Sequence, residues 1–508
     1  MTTGSGNRTH TSQPFIRKRR WNAFVAFCKK RWQFVVVSAT IVGLIAGIIT
    51  MKNEFWPLRQ ATPRLPHISQ CGLDVGAMND RLNSAIRQSA DTAAAVRAQA
   101  IDDMFVVADA WQTCPISDAQ REQRNAAIGA IVNYLKMAVF NRSEDGTYDP
   151  AENNIRITIS HKLHDRLTRP PIPKSPEDVE QPPSDNDMPS STPEERAARA
   201  RQFCQSGFTA SDYAGGPWSD YQFDFSGAKL SEADFSYSVF NQAPNFTGAT
   251  FIKTADFQNS YIGLAADGSG ATFTGAVFEG YANFSSVKFS GGHTPADDVN
   301  YYAANFQSAD FQSGADFRAT VFYGDAGANF GYTQWHGAAY IGSSYYCGAL
   351  RLYKASVEAE TLDMSTAVIL KSVDARSLSF TGTGNDATVD MRGCNIAWSV
   401  DLSSAVFKNA VYRMNDCVIG DRLILDWSKL TAESASSWNI VTSTDALTQC
   451  LQVSIISVDE TQFLRGWADF ECVKAPTSFD GSASVTADAV VQLAQCYKFD
   501  EEHTELVC

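Results

Sequence analysis

The side chains that could carry chemistry in this chain are few and scattered. His161 and His164 stand three residues apart, so they would share one face of a helix, as paired metal ligands do. The sequence forces neither a carboxylate nor a third ligand beside them. His293 and His336 lack a partnered acid or serine, and there is no nucleophile elbow, P-loop or zinc-protease helix. We therefore predict no catalytic residue, no cofactor and no metal ion.

Two kinds of short motif, a dinucleotide-binding match and glycosylation sequons, indicate a function only in the right structural or cellular context. Residues 382–387, Gly-Thr-Gly-Asn-Asp-Ala, formally match a dinucleotide-binding fingerprint, but a strand-like segment follows where that fingerprint needs a helix. We exclude this reading. Asn141, Asn245 and Asn283 begin glycosylation sequons, which matter only in a eukaryotic secretory pathway.

Acidic residues have the best claim to a binding role. Between Phe208 and Trp335 the chain carries thirteen acidic and four basic residues, a net charge of −9. Several of these acids directly precede a large apolar residue, where the side chain is expected to point outward. The candidate acidic interaction face consists of Asp224, Asp234, Asp256, Asp310 and Asp316. Solvation of the protein surface is the alternative use of the same charges.

A five-residue period positions these acids. Large apolar residues recur every five positions from Phe225 to Phe322, with occasional six-residue steps, and a small residue stands two positions before most of them. A period of five fits neither a helix nor a flat strand, but it fits a square coil whose sides each point one small and one large residue inward. The predicted core includes Phe235, Phe240, Phe251, Phe257, Phe278, Phe284, Phe311 and Phe317.

The repeating units resemble those of the pentapeptide-repeat family. They read AKLSE, ADFSY, ADFQN, ATFTG, AVFEG, ANFSS, ADFQS and ADFRA. The resemblance implies that family's right-handed quadrilateral β-helix. It also raises one activity, because cytosolic relatives use an acidic solenoid to imitate DNA and occupy topoisomerases.

After about Leu350 the unit changes to an eleven-residue form, with apolar residues at relative positions 1, 3, 6 and 8. Leu350, Leu352, Ala355 and Val357 form one such quartet. Two units of this length make one coil, so we predict that the solenoid covers residues 223–430. The fold class is therefore mainly β, with a helical segment before the solenoid and a helical stretch around Ala487 to Tyr497 after it.

A membrane anchor is expected near the N-terminus. Phe34 to Thr50 contains no charged residue, and with its flanks it reaches about 20 residues, enough for one span. We place the transmembrane helix at 34–51, although a cleaved signal peptide is the rival interpretation. Basic residues concentrate in segment 1–33, which predicts a cytoplasmic N-terminus and a C-terminal domain that is periplasmic or extracellular.

Between the anchor and the solenoid we predict a helical segment at 70–168, a proline-rich linker at 169–192 and an N-terminal solenoid cap at 193–222. Cys71 and Cys114 could form a disulfide only if the first helix breaks, and Ser89, Asp91 and Thr92 are suited to cap such a break. Residues 431–508 are expected to cap the other end, stapled by Cys450, Cys472, Cys496 and Cys508. Ten of the eleven cysteines follow the predicted span, which suits an oxidising compartment.

These features predict a non-enzymatic, single-pass membrane scaffold whose acidic rod binds a protein or an envelope polymer. A formal charge of −14 disfavours nucleic acid as a partner. Two alternatives stay open. One is a cytosolic DNA mimic that binds a topoisomerase or another basic partner, and the other is a small ligand or enzyme site in the C-terminal cap.

Overall fold

The computed structural model describes residues 73–113, 118–137, 147–168, 172–173, 193–206, 213–292, 302–384 and 387–420. After residue 420 it also describes four short strands, the last of which ends at residue 454. Its helices are α1 (Val75–Gln88), α2 (Ala94–Gln112), α3 (Asp118–Lys136), α4 (Pro150–Leu167) and α5 (Pro193–Ser206).

The strands are short, most of them two residues long, and begin with β1 (Ile172–Pro173) and β2 (Tyr213–Ala214). The next group is β3 (Lys229–Asp234), β4 (Val239–Phe240), β5 (Thr250–Asp256), β6 (Tyr261–Ile262), β7 (Ala271–Thr272), β8 (Val277–Phe278), β9 (Ala282–Asn283), β10 (Lys288–Phe289), β11 (Ala304–Asn305), β12 (Asp310–Phe311), β13 (Ala315–Asp316), β14 (Val321–Phe322), β15 (Ala328–Asn329), β16 (Gln334–Trp335), β17 (Ala339–Tyr340) and β18 (Tyr345–Tyr346). The last group is β19 (Leu350–Arg351), β20 (Ser356–Ala359), β21 (Thr361–Asp363), β22 (Val368–Ile369), β23 (Val373–Asp374), β24 (Ser379–Gly382), β25 (Thr388–Asp390), β26 (Asn395–Ile396), β27 (Val400–Asp401), β28 (Val406–Ile419), β29 (Arg422–Ile424), β30 (Lys429–Ala432), β31 (Ser437–Thr442) and β32 (Gln452–Ser454).

From β3 onward these strands stack in parallel into four columns, which we call faces 1 to 4 in chain order. Face 1 contains β7, β11, β15, β19, β23, β27, β29 and β32. Face 2 runs from the start of β3 through β12 and β20 to β30, and face 3 runs from the end of β3 through β13 and β21 to β31. Face 4 runs from β4 through β14 and β22 to β26. The predicted parallel β-solenoid is therefore confirmed.

One coil is one circuit through the four faces. Equivalent positions near the start of successive coils are Asp224, Asn245, Thr272, Asn305, Asn329, Arg351, Asp374 and Asp401, and we number the coils 1 to 8 in that order. The eleven-residue units after Leu350 continue the same faces in the same register, as predicted. In coil 8 one long strand, β28, passes through faces 2, 3 and 4.

The core is a set of aromatic columns that follow the solenoid axis. Phe257, Phe284 and Phe317 stack on face 3 with ring centroids 4.8 Å apart at each step and interplanar angles of 8° or less. Phe284 also meets Phe273 and Phe306 edge to face. The eight phenylalanines assigned to the core from the sequence all have 0% exposure. The five-residue period therefore places phenylalanine over phenylalanine in consecutive coils.

The first coil is covered by the helical segment. Arg156 of α4 donates from Nη1 to the carbonyl oxygen of Lys229 at 2.8 Å, and the Ser160 hydroxyl donates to the carbonyl oxygen of Ser231 at 3.0 Å. Both carbonyl groups belong to the strand edge that faces away from coil 2, where no further coil supplies donors. The α4 helix thus satisfies the edge that an open solenoid would leave unpaired.

A buried charged cluster fixes α4 within the helical segment. Glu152 accepts from Arg97 at 3.0 Å, from the Tyr134 hydroxyl at 2.8 Å and from Arg156 at 3.0 Å. All four side chains are buried. Because two guanidinium groups share one carboxylate away from water, the donors of Arg156 that remain are directed to backbone carbonyl groups, including the one on coil 1.

The first helix breaks where Ser89, Asp91 and Thr92 are suited to cap it. Helix α1 ends at Gln88 and α2 begins at Ala94, and the carboxylate of Asp91 accepts from the backbone N–H of Ala93 at 2.8 Å. The Cys71–Cys114 disulfide that such a break would permit involves two residues outside those the structure describes.

The cap predicted at 193–222 corresponds to two different structures. Residues 216–221 do lie at the end of the solenoid, where the N–H groups of Gly216 and Trp218 donate to carbonyl groups at the end of α4. Helix α5 instead lies along the flank and packs against β22, β26 and β28. The prediction was wrong for this helix, because its sequence shows a helix start but not the surface against which it packs.

In the part of the chain that the structure describes, no helix is both long and apolar enough to span a bilayer. The predicted anchor at 34–51 and most of the predicted C-terminal cap at 431–508 lie outside the described residues.

Replacing Phe284 by alanine should destabilise the solenoid by about 3–5 kcal/mol, because it removes a fully buried ring from both a stack and its edge contacts. Thermal and urea unfolding followed by circular dichroism would measure the change. Tyr332→Ala is the matched control, since that ring is 45% exposed and its loss should cost less than about 0.5 kcal/mol. Equal destabilisation by both variants would contradict the stacked core.

The helical cap should weaken as the pH rises from 10 to 12. Burial and the hydrogen bond to Glu152 raise the pKa of Tyr134 from 10.0 to about 12. Over that window folded Tyr134 keeps a proton that the unfolded chain releases, so the free energy of unfolding falls as pH increases. In the Tyr134→Phe variant, the free energy of unfolding measured in urea should fall less steeply with pH over the same window. The same pH dependence in both proteins would show that Tyr134 does not contribute.

Candidate interaction surface

The five aspartates predicted to form one acidic face are distributed over three faces. Asp234, Asp256 and Asp316 lie on face 3, in coils 1, 2 and 4. Asp224 lies on face 1, and Asp310 lies on face 2. The stack therefore aligns three of the five, with Asn283 in coil 3 between Asp256 and Asp316.

The aspartates of face 3 cap the corners of the coil. The carboxylate of each accepts from the backbone N–H two residues later: Asp234 from Ser236 at 3.0 Å, Asp256 from Gln258 at 2.9 Å and Asp316 from Arg318 at 2.8 Å. This is an Asx turn, in which a short side chain replaces a backbone acceptor where the chain changes direction. The geometry of the turn thus favours aspartate directly before the large core residue at these three corners.

Each of the five carboxylates also has a polar partner from another part of the solenoid or cap, or from its own corner. The atom pairs are Asp224 with Lys136 at 2.6 Å, Asp234 with His164 at 3.4 Å, Asp256 with Asn283 at 3.0 Å, Asp310 with His336 at 3.4 Å, and Asp316 with Arg318 at 2.6 Å. A cation lies beside Asp224 and Asp316, so the negative charge is locally compensated at these two positions.

Two pKa values follow from these surroundings. Burial, reinforced by the neighbouring carboxylate of Asp234, raises the pKa of Asp256 above its ordinary value. Burial also acts on Asp224, but the hydrogen bonds from Lys136 and Ser226 outweigh it and lower the pKa of that carboxyl. Asp224 consequently stays ionised opposite the cap helix α3.

Arginines two residues after an aspartate form a pattern that the sequence analysis did not identify. Asp316–Arg318, Asp374–Arg376 and Asp390–Arg392 each make ion pairs of 2.8 Å or less at a corner. The hydrogen bonds that each arginine donates to its aspartate raise the pKa of that arginine. The sequence does contain a signal for these pairs, which is the motif Asp-x-Arg in phase with the repeat. In each pair the aspartate and the arginine neutralise each other at a corner of the coil.

Two sequon asparagines belong to the same corner system. The Asn245 amide donates to Asp224 at 2.9 Å, and the Asn283 amide donates to Asp256 at 3.0 Å. Each asparagine also accepts the N–H two residues later. Both amides are thus part of the coil-to-coil ladder. Asn141 lies outside the described residues.

Face 4 differs from the other three faces because its outward positions are mostly apolar. The outward residues from coil 1 to coil 8 are Val239, Tyr261, Lys288, Val321, Tyr345, Val368, Asn395 and Val418. The ring of Tyr213 in β2 lies 4.0 Å from that of Tyr261, and α5 covers the positions from Val321 to Val368. The sequence contains this signal as a valine or tyrosine recurring once per coil.

Lys288 is the cationic exception on face 4. Its ammonium group donates to the Tyr261 hydroxyl at 2.8 Å and lies 4.3 Å from the centre of that ring. Burial lowers the pKa of Lys288 to about 8. The side chain is half-buried beside tyrosine rings, and with a pKa of about 8 it is still mostly protonated and positively charged at pH 7.

The corner between faces 1 and 2 displays aromatic and cationic groups. Tyr332 and Tyr353 meet edge to face at 5.4 Å, and the Lys354 ammonium lies within 5.6 Å of both ring centres. Arg376 lies 5.3 Å from the Tyr353 ring and pairs with Asp374. The sequence analysis did not single out these residues.

The histidines considered for metal binding do not form a metal centre. His161 is exposed, whereas His164 lies between Thr168 and Asp234 at the junction of α4 and coil 1. Among the described residues no group of three or more His, Cys, Asp or Glu side chains could hold a metal ion. His293 and the cysteines of the predicted C-terminal cap lie outside the described residues.

A four-faced parallel β-solenoid with helical elements packed on its first coil and on one flank is the class of protein that these observations define. Residues 224–260 match the family model for pentapeptide repeats in eight copies, so this segment consists of pentapeptide repeats. Comparison with curated proteins and with solved structures found no match. The predicted family resemblance is thereby confirmed.

The corner role of the aspartates can be separated from a role as free charges by comparing two variants of Asp316. Asp316→Asn keeps an acceptor for the Arg318 N–H, as Asn283 does in coil 3, and should cost less than about 0.5 kcal/mol. Asp316→Ala removes the acceptor and should cost about 1–2 kcal/mol. Urea unfolding measures both, and equal losses would show that charge, rather than turn geometry, selects the residue.

Proposed function

We propose that this protein is a non-enzymatic, single-pass membrane scaffold that displays a β-solenoid outside the cytoplasm and binds a protein or an envelope polymer along its flank. Pentapeptide-repeat proteins are generally structural or interaction proteins. A stacked solenoid offers a long, rigid surface suited to such a role. The uncharged segment 34–51 and the basic residues before it support the anchor and its orientation.

The observation that carries the location is a pair of disulfides. Cys204 is bonded to Cys347, and Cys394 is bonded to Cys417. Stable disulfides are typical of secreted, periplasmic and cell-surface proteins and rare in the cytosol. These bonds favour the oxidising side of the membrane for the solenoid, in agreement with the charge asymmetry of the N-terminal segment.

The flank proposed for binding consists of faces 1 and 2 from coil 4 onward, together with their shared corner. In the described part of the chain, α4 packs on coil 1 and α5 packs on face 4. The proposed flank carries exposed Gln334 and Ser356 on face 2, and Tyr332 with Lys354 at the corner. This mixture of aromatic, neutral polar and charged groups suits a partner bound by hydrogen bonds and ring stacking.

The DNA-mimic alternative has less support. Its requirement is a continuous run of unpaired carboxylates, whereas Asp316 and Asp390 on face 3 each pair with an arginine at their own corner. The disulfides also favour the compartment without topoisomerases. The alternative of a ligand or enzyme site in the C-terminal cap concerns residues outside the described part of the chain.

Protease protection tests the compartment. In intact cells, or in spheroplasts if an outer membrane is present, added protease should remove the solenoid and leave the N-terminal segment attached to the membrane. A cytoplasmic protein serves as the control for membrane integrity. Resistance of the solenoid before lysis, followed by cleavage after lysis, would contradict the proposed location.

Site-specific photocrosslinking tests the flank. A benzoyl-phenylalanine at Gln334 of the full chain in its membrane should yield a covalent adduct with the partner. The same probe at Arg199, which is exposed on the outer side of α5, is the matched control and should yield none. Adducts at Arg199 but not at Gln334 would place the binding surface elsewhere.

A further inference from the structure

Helix α5 is flanked in the sequence by two short strands, β1 and β2, that pair with each other. Strands β1 and β2 pair antiparallel, with Ile172 opposite Ala214 and Pro173 opposite Tyr213. Helix α5 lies in sequence between these two paired strands. We call α5 (Pro193–Ser206) the strap.

The strap covers an apolar strip on face 4. The strip consists of Val321, Tyr323, Tyr345 and Val368, which form one buried cluster with Ala197 and Ala200 of α5. The Phe203 ring lies 6.4 Å from that of Tyr345. Without α5, four apolar side chains from three consecutive coils would face water, and exposed patches of this kind mark binding surfaces.

The noncovalent contacts of α5 with face 4 use few apolar groups. Among the α5 side chains that the structure describes, the buried apolar ones are Ala197, Ala200 and Phe203, and the Arg196 guanidinium donates to the carbonyl oxygen of Gly393. The outer side, from Glu195 to Gln205, presents mostly exposed residues. Burial of so little apolar surface stabilises a helix weakly in water.

A disulfide completes the attachment. Cys204, in the last turn of α5, is bonded to Cys347 on face 4 of coil 5, 143 residues away in the sequence. Cys204 is half-buried, whereas Cys347 is 8% exposed. By contrast, Cys394 and Cys417 join adjacent coils and both have 0% exposure. One disulfide is thus accessible at the surface, and the other lies within the core.

We propose that Cys204–Cys347 is a redox latch, and that its reduction releases α5 and uncovers the apolar strip of face 4. A dithiol reductant supplies the two electrons. Its first thiolate bonds to the sulfur of Cys204 and displaces the thiolate of Cys347, which takes up a proton. Its second thiol then displaces Cys204 and leaves the reductant as a disulfide, with both protein cysteines as thiols.

The latch goes beyond the proposed scaffold function and does not depend on the identity of the flank partner. It assigns separate roles to the two disulfides. The surface bond controls whether face 4 is covered, and the core bond holds coils 7 and 8 together.

Hydrogen exchange with mass spectrometry on the full chain in detergent tests the latch. Dithiothreitol should make the amides of residues 193–206 exchange at least tenfold faster, while the amides of coils 2 to 5 change less than twofold. Cys204→Ser/Cys347→Ser should reproduce this result without reductant, which separates the effect from reduction of other cysteines. Cys394→Ala/Cys417→Ala is the matched control and should leave α5 protected.

Two results would overturn the proposal. Unchanged protection of α5 in both the reduced protein and the Cys204→Ser/Cys347→Ser variant would show that the helix does not need the bond. Loss of protection in coils 2 to 5 together with α5 would show that the bond stabilises the whole fold. Reduction of the native chain provides an independent measurement if the double variant does not fold.

Discussion

The structure depends on the register between consecutive coils. Each short strand has too few residues to be stable alone, and its hydrogen bonds come from the strands above and below it. The same register places phenylalanine over phenylalanine, as in the 4.8 Å steps from Phe257 to Phe284 and Phe317. Because backbone pairing and ring stacking have the same spacing, a residue out of phase would disrupt both. The period of the large inward residues is therefore a requirement of the stack.

A stacked structure of this kind has two ends, and the described end shows how one is closed. The strand edge of coil 1 receives donors from Arg156 and Ser160 of α4. The charged cluster around Glu152 holds those donors in place. Helices that precede the solenoid in sequence are thus part of its folding unit, since the cap and the first coil complete each other's hydrogen bonds.

Periodicity made the solenoid predictable, whereas tertiary contacts determined the rest. Phe235 and Phe284 could be assigned to the core because inward positions recur locally. The position of α5 could not be predicted, because Ala197 and Ala200 become informative only when the valines and tyrosines of face 4 are seen as one column. The aspartates show the same limit. Their outward direction was correctly inferred, but an Asx-turn cap and a binding carboxylate have the same residue type. Asp316 illustrates this, since its corner bond is to the backbone of Arg318.

Deletion of one whole coil would test the dependence on register most directly. Removing residues 245–271 joins coil 1 to coil 3 in phase, so that Phe235 stacks on Phe284 and Phe240 on Phe289. Removing residues 243–271 takes out two further residues and breaks the phase. We predict that the in-phase deletion keeps a single cooperative unfolding transition and a β-type circular dichroism spectrum, and that the out-of-phase deletion loses both. Equal stability of the two deletions, or failure of the in-phase deletion to fold, would contradict the account.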